Sequence, residues 1–428
     1  MTSSSPSLAA RVHNRRVGAC NLFTLPTPVS DFVSFRMSAV TNPDFAAGDD
    51  IRQDLAIAML DKGTQQRDRF ELSGAIEDLG ASLNAYSDGL YLDVVGKALT
   101  DDLPEVLSVL SEMLREPLFD PAEFEKVQAS TVAQLQHQLE KTSSQAGGAF
   151  KRRLFPSDHP NYSPPTQNLI EQVQSTTLEE VKAFFGKHVG ATDFRMVVVG
   201  DLEHDAVEQA VQSTLGDWEP HASSPVHTTE ARPEDVGQSY VTMADRSNID
   251  VHIGHALDLY RGDDDYEALY VANYILGGNF SARLMNEVRD ERGLTYHIGS
   301  SLSGVTTQHQ GAWRAGVTLS TDAFEAGVQA TVDVIRRFVA EGITEDELET
   351  VKTTITGSFV VGLATTGNMA KTLLTNAERE FDVDYIDRFP DIINGLTREE
   401  VNAAIQRHLR PDALHIAAAG AFPEQVEA

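Results

Sequence analysis

The chain has 428 residues, of which 41% are apolar, and its 34 basic and 64 acidic side chains give a net charge of −30. This length is enough for two domains with full cores, and so acidic a chain argues against the phosphates of nucleic acid as a partner. No stretch approaches the roughly 20 apolar residues of a membrane span, and the N-terminus lacks the apolar core of a secretory signal. The single cysteine, Cys20, excludes disulfides within the chain. We therefore expect a cytoplasmic protein with an acidic, solvated surface.

The first predicted element is an amphipathic helix in residues 51–64, IRQDLAIAMLDKGT. The apolar residues Leu55, Ala58 and Met59 recur there at helical spacing, and Gly63 is expected to end the helix. The helix contains no His and no Glu. Packing is therefore the role that its own residues predict.

Two segments of the chain repeat each other. Residues 176–202, TTLEEVKAFFGKHVGATDFRMVVVGDL, are followed 220 residues later by 396–422, LTREEVNAAIQRHLRPDALHIAAAGAF, without a gap. Each copy predicts a Thr N-cap, an amphipathic helix, a turn and an apolar strand that ends in Gly. IEDLGASLNAY at 76–86 and RDERGLTYHIG at 289–299 likewise each predict a helix, a Gly and a strand. The repeats indicate a tandem duplication.

The two copies are joined by residues 219–236, whose Pro, Ser and charged residues are typical of a linker. This predicts an N-terminal domain at 1–218 and a C-terminal domain at 237–428. Each half runs strand, helices, strands, helices, strand, so the predicted fold class is α+β.

The segment DYEALYVANYILGGNFSARLMNEVRDERGLTYHIGSSLS, residues 265–303, resembles the insulinase/pitrilysin family of zinc metallopeptidases. Seven shorter segments follow the order of that family: LDKGT, LGASLNAYSDG, LREPLFDPAEFEKV, LFPSDHPNY, VVVGDL, LGGNFSARL and EGITEDELETVK. Together with the repeat, they identify the chain as a member of the family. The resemblance implies two homologous domains, each an antiparallel-rich sheet with packed helices, which form half of a clam-like peptidase shell.

The family's zinc site is degenerate in this chain. Family enzymes hold zinc with the two histidines of an H-x-x-E-H helix, use the Glu between them as general base, and add a later Glu as third ligand. Counting back from LDKGT, the matching residues are Asp54 for the first His, Ile57 for the general base and Ala58 for the second His. The later Glu falls near Gln134. The resemblance therefore implies a chain that binds no cofactor itself and is inactive on its own.

The family's Arg and Tyr, seven residues apart, are present as Arg289 and Tyr296. A charged Arg and a phenol donor can stabilise negative charge on a tetrahedral oxygen, and the resemblance assigns this pair to substrate binding and oxyanion stabilisation. From spacing alone, a helix-surface Arg and a core Tyr remain an alternative. Asn84 and Ala85 match the family's substrate-pairing edge strand, with an ordinary buried strand as the alternative.

A tempting metal pair is His252 and His255 in DVHIGHAL. This run predicts a strand, in which residues three apart point to opposite faces, so we do not expect the two rings to share a metal ion.

Three hypotheses follow for function. The first is a noncatalytic subunit of a heteromeric zinc endopeptidase acting on peptides, which places Arg289 and Tyr296 opposite the zinc site of a homologous partner chain. The second is a structural or peptide-binding subunit of the same fold with no role in proteolysis. The third is a homodimer that holds unfolded peptides without metal.

Overall fold

The computed structural model describes residues 7–221, 230–231 and 236–422. The strands are β1 (His13–Val17), β2 (Cys20–Pro26), β3 (Phe32–Val40), β4 (Ser82–Ser87), β5 (Tyr91–Leu99), β6 (Arg195–Gly200), β7 (Gly237–Thr242), β8 (Asn248–Ala256), β9 (Thr295–Ser303), β10 (Ala312–Ser320) and β11 (His415–Gly420). The helices are α1 (Asp49–Ala58), α2 (Arg69–Glu77), α3 (Leu103–Arg115), α4 (Pro121–Leu139), α5 (Thr142–Leu154), α6 (Thr166–Ser175), α7 (Leu178–His188), α8 (His204–Thr214), α9 (Tyr266–Gly277), α10 (Phe324–Glu341), α11 (Glu345–Gly362), α12 (Thr366–Glu378), α13 (Tyr385–Gly395) and α14 (Arg398–His408). None of the helices in these ranges has the length and apolar character needed to cross a membrane.

The repeat predicted from the sequence is confirmed at the level of whole elements. Helices α7 and α14 begin and end 220 residues apart, and so do strands β6 and β11. Each strand ends in a Gly at positive φ, Gly200 at 155° and Gly420 at 153°. A Cβ on Gly200 would lie 2.2 Å from the backbone oxygen of Phe32, and one on Gly420 would lie 2.6 Å from that of Asn248. The glycines therefore let a neighbouring strand approach closely.

Both repeated helices begin with the predicted Thr cap. The hydroxyl of Thr177 accepts a hydrogen bond from the Glu180 backbone N–H at 3.3 Å, and the Glu180 carboxylate accepts one from the Thr177 N–H at 2.8 Å. Thr397 and Glu400 form the same reciprocal pair. These capping boxes satisfy N–H groups that the first helical turn leaves unpaired.

Replacing Thr177 with Ala is expected to lower the free energy of unfolding by about 1 kcal/mol, because one N–H of the first turn loses its acceptor. Guanidinium chloride unfolding of the full chain measures this difference. Thr177→Ser is the matched control, since it keeps the hydroxyl and should retain most of the stability. Equal losses in the Ala and Ser variants would contradict the capping role.

The first compact unit consists of the described residues within Met1–Ala133, Glu171–His227 and Ser358–Phe389. Its described strands form one sheet in the order β1-β2-β6-β3-β5-β4. Strands β2 and β6 run parallel, and the other neighbours run antiparallel. Helix α12 packs on β3 and β6, where Leu373 and Leu374 share a core with Phe23 and Val197.

The second compact unit consists of the described residues within Gln134–Ile170, Thr228–Gly357 and Pro390–Ala428. Its described strands form one sheet in the order β7-β11-β8-β10-β9, with β7 and β11 parallel and the other pairs antiparallel. Helix α5 packs on β8 and β11, where Phe150 and Leu154 meet Ala256 and Ala417. The two sheets with their packed helices confirm the predicted α+β class.

The compact units do not follow the linear division predicted at residues 219–236. Helix α5 precedes that division but belongs to the second unit, and α12 follows it but belongs to the first. Local periodicity predicts each helix but not the sheet on which it packs, since packing is decided by contacts between residues far apart in sequence. Residues 222–229 and 232–235 of the predicted linker lie outside the described residues.

Helix α1 ends earlier than predicted, at Ala58 rather than near Gly63. Beyond it, the backbone N–H groups of Met59 and Leu60 bond three residues back, to Ala56 and Ile57, at 3.2 and 3.1 Å. Met59 and Leu60 are both fully buried. The tighter turns bring both adjacent apolar side chains into the core, which explains the early end of the helix.

Candidate functional site

The residues that match the inverted zinc motif lie on α1 in the first unit. Asp54 is exposed, Ala58 is half-buried, and Ile57 is buried with 3% of its surface exposed. Gln134, the residue matching the later Glu, is exposed on α4. The position of the family's general base is thus occupied by a core side chain.

An acidic cluster of Asp88, Asp93 and Glu378 lies in the same unit. Burial, followed by the negative charges of Asp88 and Glu378, raises the pKa of Asp93 to about 8. Burial likewise raises the pKa of Glu378 to about 7. The protein around Asp54 raises the pKa of its carboxyl to about 6, mainly through lost hydration, although part of the side chain reaches solvent. Carboxyl groups in this region therefore hold protons near neutral pH.

The acidic cluster predicts how stability depends on pH. Because the pKa of Asp93 in the folded state lies above its usual value near 4, the folded chain binds more protons than the unfolded chain between about pH 4 and 8. The free energy of unfolding should therefore fall as pH rises through this window. Asp93→Asn is expected to flatten this slope and to raise stability at pH 8 by about 1 kcal/mol or more.

Thermal unfolding at pH 5, 6, 7 and 8 measures this slope. The control is Asp101→Asn, which removes the same charge from an exposed position in the same unit and should leave the slope unchanged. An unaltered slope in Asp93→Asn would show that Asp93 is ionised in the folded state.

Strand β4 is the last strand in the order of the first sheet and pairs with β5. Asn84 is exposed on it, and Ala85 is half-buried. The alternative of an ordinary buried strand is therefore wrong. Pairing of this edge with an extended peptide stays a prediction.

Arg289 and Tyr296 flank a turn in the second unit. Arg289 lies in a π-helical segment, Met285–Glu291, and its Nη1 donates to Asp290 Oδ1 at 2.6 Å. Gly293 has a φ of +64° and connects this segment to β9, as predicted. Tyr296 is 96% exposed, so the alternative of a core Tyr is wrong.

The two side chains are both accessible but are not bonded to each other. About 39% of the Arg289 side chain is exposed, and within the described residues no hydrogen bond joins it to Tyr296. A cation and a phenol donor are thus presented to solvent from consecutive elements. π-Helical insertions are frequent at functional sites, which agrees with a role for this segment.

Family models match both halves of the chain. A model described as insulinase, peptidase family M16, matches residues 56–152, and one described as peptidase M16 inactive domain matches residues 175–355. The two ranges together span well over half of the chain. The chain belongs to the insulinase family. The resemblance inferred from the sequence is confirmed.

Insulinase-family relatives include both zinc proteases and proteins named as non-peptidases. An uncharacterized zinc protease of Streptomyces coelicolor is 25% identical over 313 residues, covering 72% of this chain and 67% of the relative. The non-peptidase homolog YmxG of Helicobacter pylori is 22% identical over 359 residues, covering 82% of this chain and 80% of the relative. Family membership by itself therefore does not decide whether this chain has peptidase activity.

Solved structures share the fold. The peptidase M16 inactive domain from Pseudomonas fluorescens matches with a TM-score of 0.86 at 21% identity, covering 96% of this chain and 98% of that chain. The periplasmic protease PqqL from Escherichia coli matches with a TM-score of 0.80 at 15% identity, covering 99% of this chain but 46% of that chain. At these identities the likeness shows the fold alone.

Zinc does not fit the insulinase-family motif positions of this chain. Asp54 offers a carboxylate, but the side chains of Ile57 and Ala58 have no lone pair, and Gln134 offers an amide, which zinc sites in proteins seldom use. Nor does the described part of the chain hold three or more His, Cys, Asp or Glu side chains grouped to bind a metal ion. These residues therefore do not provide the donor set of a catalytic zinc site.

Sequence reasoning missed the acidic cluster and a polar cavity in the second unit. Asp93 and Glu378 are separated by 285 positions, and the cavity joins α5 to strands more than 100 residues later. One local signal was available for Asp93, since it is a charged residue in the apolar strand YLDVVGKAL. The first four residues of that strand, including Asp93, are buried.

Proposed function

We propose that this chain is a noncatalytic subunit of a two-chain zinc endopeptidase that acts on peptides. A homologous partner chain would supply the zinc and the general base. This chain would contribute Arg289 and Tyr296 across the cavity from the partner's zinc site. A cytoplasmic location, suggested by the sequence, is part of this proposal.

The observation that carries the proposal is a contrast between two sets of residues, the positions of the family's zinc site and the Arg/Tyr pair. The positions of the zinc ligands and general base hold Asp54, Ile57, Ala58 and Gln134, whereas Arg289 keeps its place at the end of a helical segment. If the protein had lost its function altogether, sequence drift would be expected to change both sets of residues alike. The exposure of the Arg and Tyr side chains supports continued use by a partner.

The chemistry available to Arg289 and Tyr296 is charge stabilisation. A guanidinium is always charged and donates N–H groups in a fixed plane, and a phenol donates one O–H. Donors aimed at the developing oxyanion of acyl transfer contribute about 3 kcal/mol each. The Arg289–Asp290 ion pair lies at the surface, where such pairs are weak, so it could open when substrate binds.

The length of a structural relative supports a second chain. PqqL matches nearly all of this chain with 46% of its own length, so more than half of that protease lies outside the match. On this proposal, a separate partner chain corresponds to the part of PqqL outside the match.

The alternative is a structural or peptide-binding subunit without a role in proteolysis. The name of the Helicobacter pylori relative, a non-peptidase homolog, favours it. On this alternative, peptide is held along the β4 edge at Asn84 and Ala85, and Arg289 is dispensable.

Mass spectrometry of the proteins that co-purify with the native chain at native salt concentration is the first test. A near-stoichiometric partner of similar size that carries H-x-x-E-H would support the two-chain peptidase. Recovery alone, as a homodimer, or with chains lacking that motif would favour the structural alternative.

A further inference from the structure

We infer that the second unit contains a binding site for a peptide carboxylate, in a polar cavity between the start of α5 and one face of strands β8, β10 and β9. The cavity measures about 380 Å³, which is near the lower end of the range for small-ligand sites. Its lining includes Arg314, His252 and Ser143. Its lining includes His297 but neither Arg289 nor Tyr296, and neither the family match nor the proposed function assigns the cavity a role.

Arg314 is the cation of this cavity. It is half-buried on β10, where its Nε lies 3.4 Å from Ser301 Oγ and its Nη1 lies 3.1 Å from His252 Nδ1. Among the described residues no carboxylate forms an ion pair with it, and its Nη2 has no hydrogen-bond partner. Burial without a counterion lowers the pKa of Arg314. In a chain with a net charge of −30, a half-buried Arg without a carboxylate partner indicates an anion-binding site.

His252 positions Arg314 and does not act as a second cation in the cavity. Burial, and then the charge of Arg314, lowers the pKa of His252 to about 4, so the ring is neutral at pH 7. Its Nδ1 is then free to accept the hydrogen bond from Arg314. The other side of the ring faces α5, where it bonds the backbone of Ser143. The ring thereby holds the guanidinium at a fixed place on the sheet.

The carboxylate of Asp250 lines the same cavity but is occupied by other partners. Its oxygens accept hydrogen bonds from the hydroxyls of Thr142 and Thr318, each at 2.5 Å, and from Asn248 Nδ2 at 3.3 Å. Asp250 pairs with Thr318, four residues along β10 from Arg314, and it lies two residues along β8 from His252, which bonds the guanidinium. A negative group in the same cavity disfavours a dianion such as phosphate and leaves room for one carboxylate beside Arg314.

A glycine in the middle of β10, Gly316, leaves the floor of the cavity open. Gly316 on β10 pairs with Gly299 on β9 and with His252 on β8. A Cβ on Gly316 would lie 3.6 Å from His252 Nδ1, an ordinary contact, so packing does not require Gly there. Glycine inside a strand weakens a sheet and often marks a close approach by a ligand or another backbone. Gly316 lies two residues from Arg314 on the same face of β10, so the floor beside the guanidinium carries no side chain there.

The ligand class follows from this geometry. The planar guanidinium matches the two oxygens of a carboxylate, and the cavity has room for a small group rather than a folded domain. Strand β9, which lines one side, is the last strand in its sheet order, and the end of α9 contacts it where Asn273 Nδ2 donates to the backbone oxygen of Ser300. The carboxylate can come from a peptide C-terminus or from an acidic side chain.

Isothermal titration calorimetry on the full chain, without a partner, tests the site independently of any peptidase activity. The probes are N-acetyl-Ala-Ala with a free carboxylate, the same peptide as its amide, and N-acetyl-Ala-Glu-amide. The variants are Arg314→Gln and Gly316→Ala. Arg336→Gln is the matched control, since it removes the same charge from an exposed position in the same unit. Circular dichroism and thermal unfolding verify that each variant is folded.

We expect the carboxylate probes to bind and the uncharged amide not to bind. Arg314→Gln should weaken binding by about tenfold or more, Gly316→Ala should weaken it, and Arg336→Gln should leave it unchanged. Binding of the first probe alone identifies the C-terminal carboxylate as the ligand, and binding of the Glu probe alone identifies the acidic side chain. The site is overturned if no probe binds, if the amide binds as tightly as the acid, or if a folded Arg314→Gln or Gly316→Ala variant binds like the wild type.

Discussion

Replacing Arg289 with Ala is expected to lower peptide turnover by the proposed two-chain complex about 100-fold or more. The guanidinium would act on charge that develops in the transition state, so its loss should lower kcat more than it raises KM. Steady-state kinetics of the complex, reconstituted with the partner identified by mass spectrometry, measures both constants. Tyr296→Phe, which removes one O–H and keeps the ring, should show a smaller loss in kcat.

Arg292→Ala is the control for Arg289, since Arg292 is exposed three residues later and the substitution removes the same charge. Its turnover should match that of the wild type. If Arg289→Ala and Arg292→Ala behave alike, Arg289 has no role in catalysis and the structural alternative becomes the better account.

Replacing Ile57 with Glu is expected to lower the free energy of unfolding by about 3 kcal/mol or more. Ile57 is 3% exposed, and a carboxylate there would lose its hydration without a described cation to pair with it. Chemical denaturation at pH 7 measures the loss. Restoring the family's general base would therefore damage α1 before it could restore catalysis.

Ile57→Leu is the matched control, because it keeps the volume and apolar character of the side chain and should cost less than about 1.5 kcal/mol. Asp54→His, at an exposed position, should also be mild. A stable Ile57→Glu variant would mean that α1 can still accommodate an ionised general base, and our packing interpretation of this helix would be wrong.

Local sequence patterns were sufficient to predict much of the fold. The 220-residue repeat places α7 and α14, β6 and β11, and both Thr caps at matching positions, because caps, periodicity and terminal glycines act within a few residues. The same holds for the turn at Gly293, a residue with positive φ that lies between a helical segment and a strand. The end of α1 was misplaced because burial of Met59 and Leu60 outweighed the local signal of Gly63.

By itself, the sequence determined the family, the α+β class and the duplication, and it predicted the loss of the zinc ligands, since each of these depends on residue identity and short-range spacing. Only the tertiary structure decided that α5, which precedes the predicted linker, packs on the sheet of the second unit, and that α12, which follows the linker, packs on the sheet of the first. It also decided that Tyr296 is exposed, that Asp93 and Glu378 share a buried region, and that Arg314 faces a cavity with no acidic partner among the described residues. These features depend on desolvation and on contacts between residues hundreds of positions apart, which no local pattern encodes.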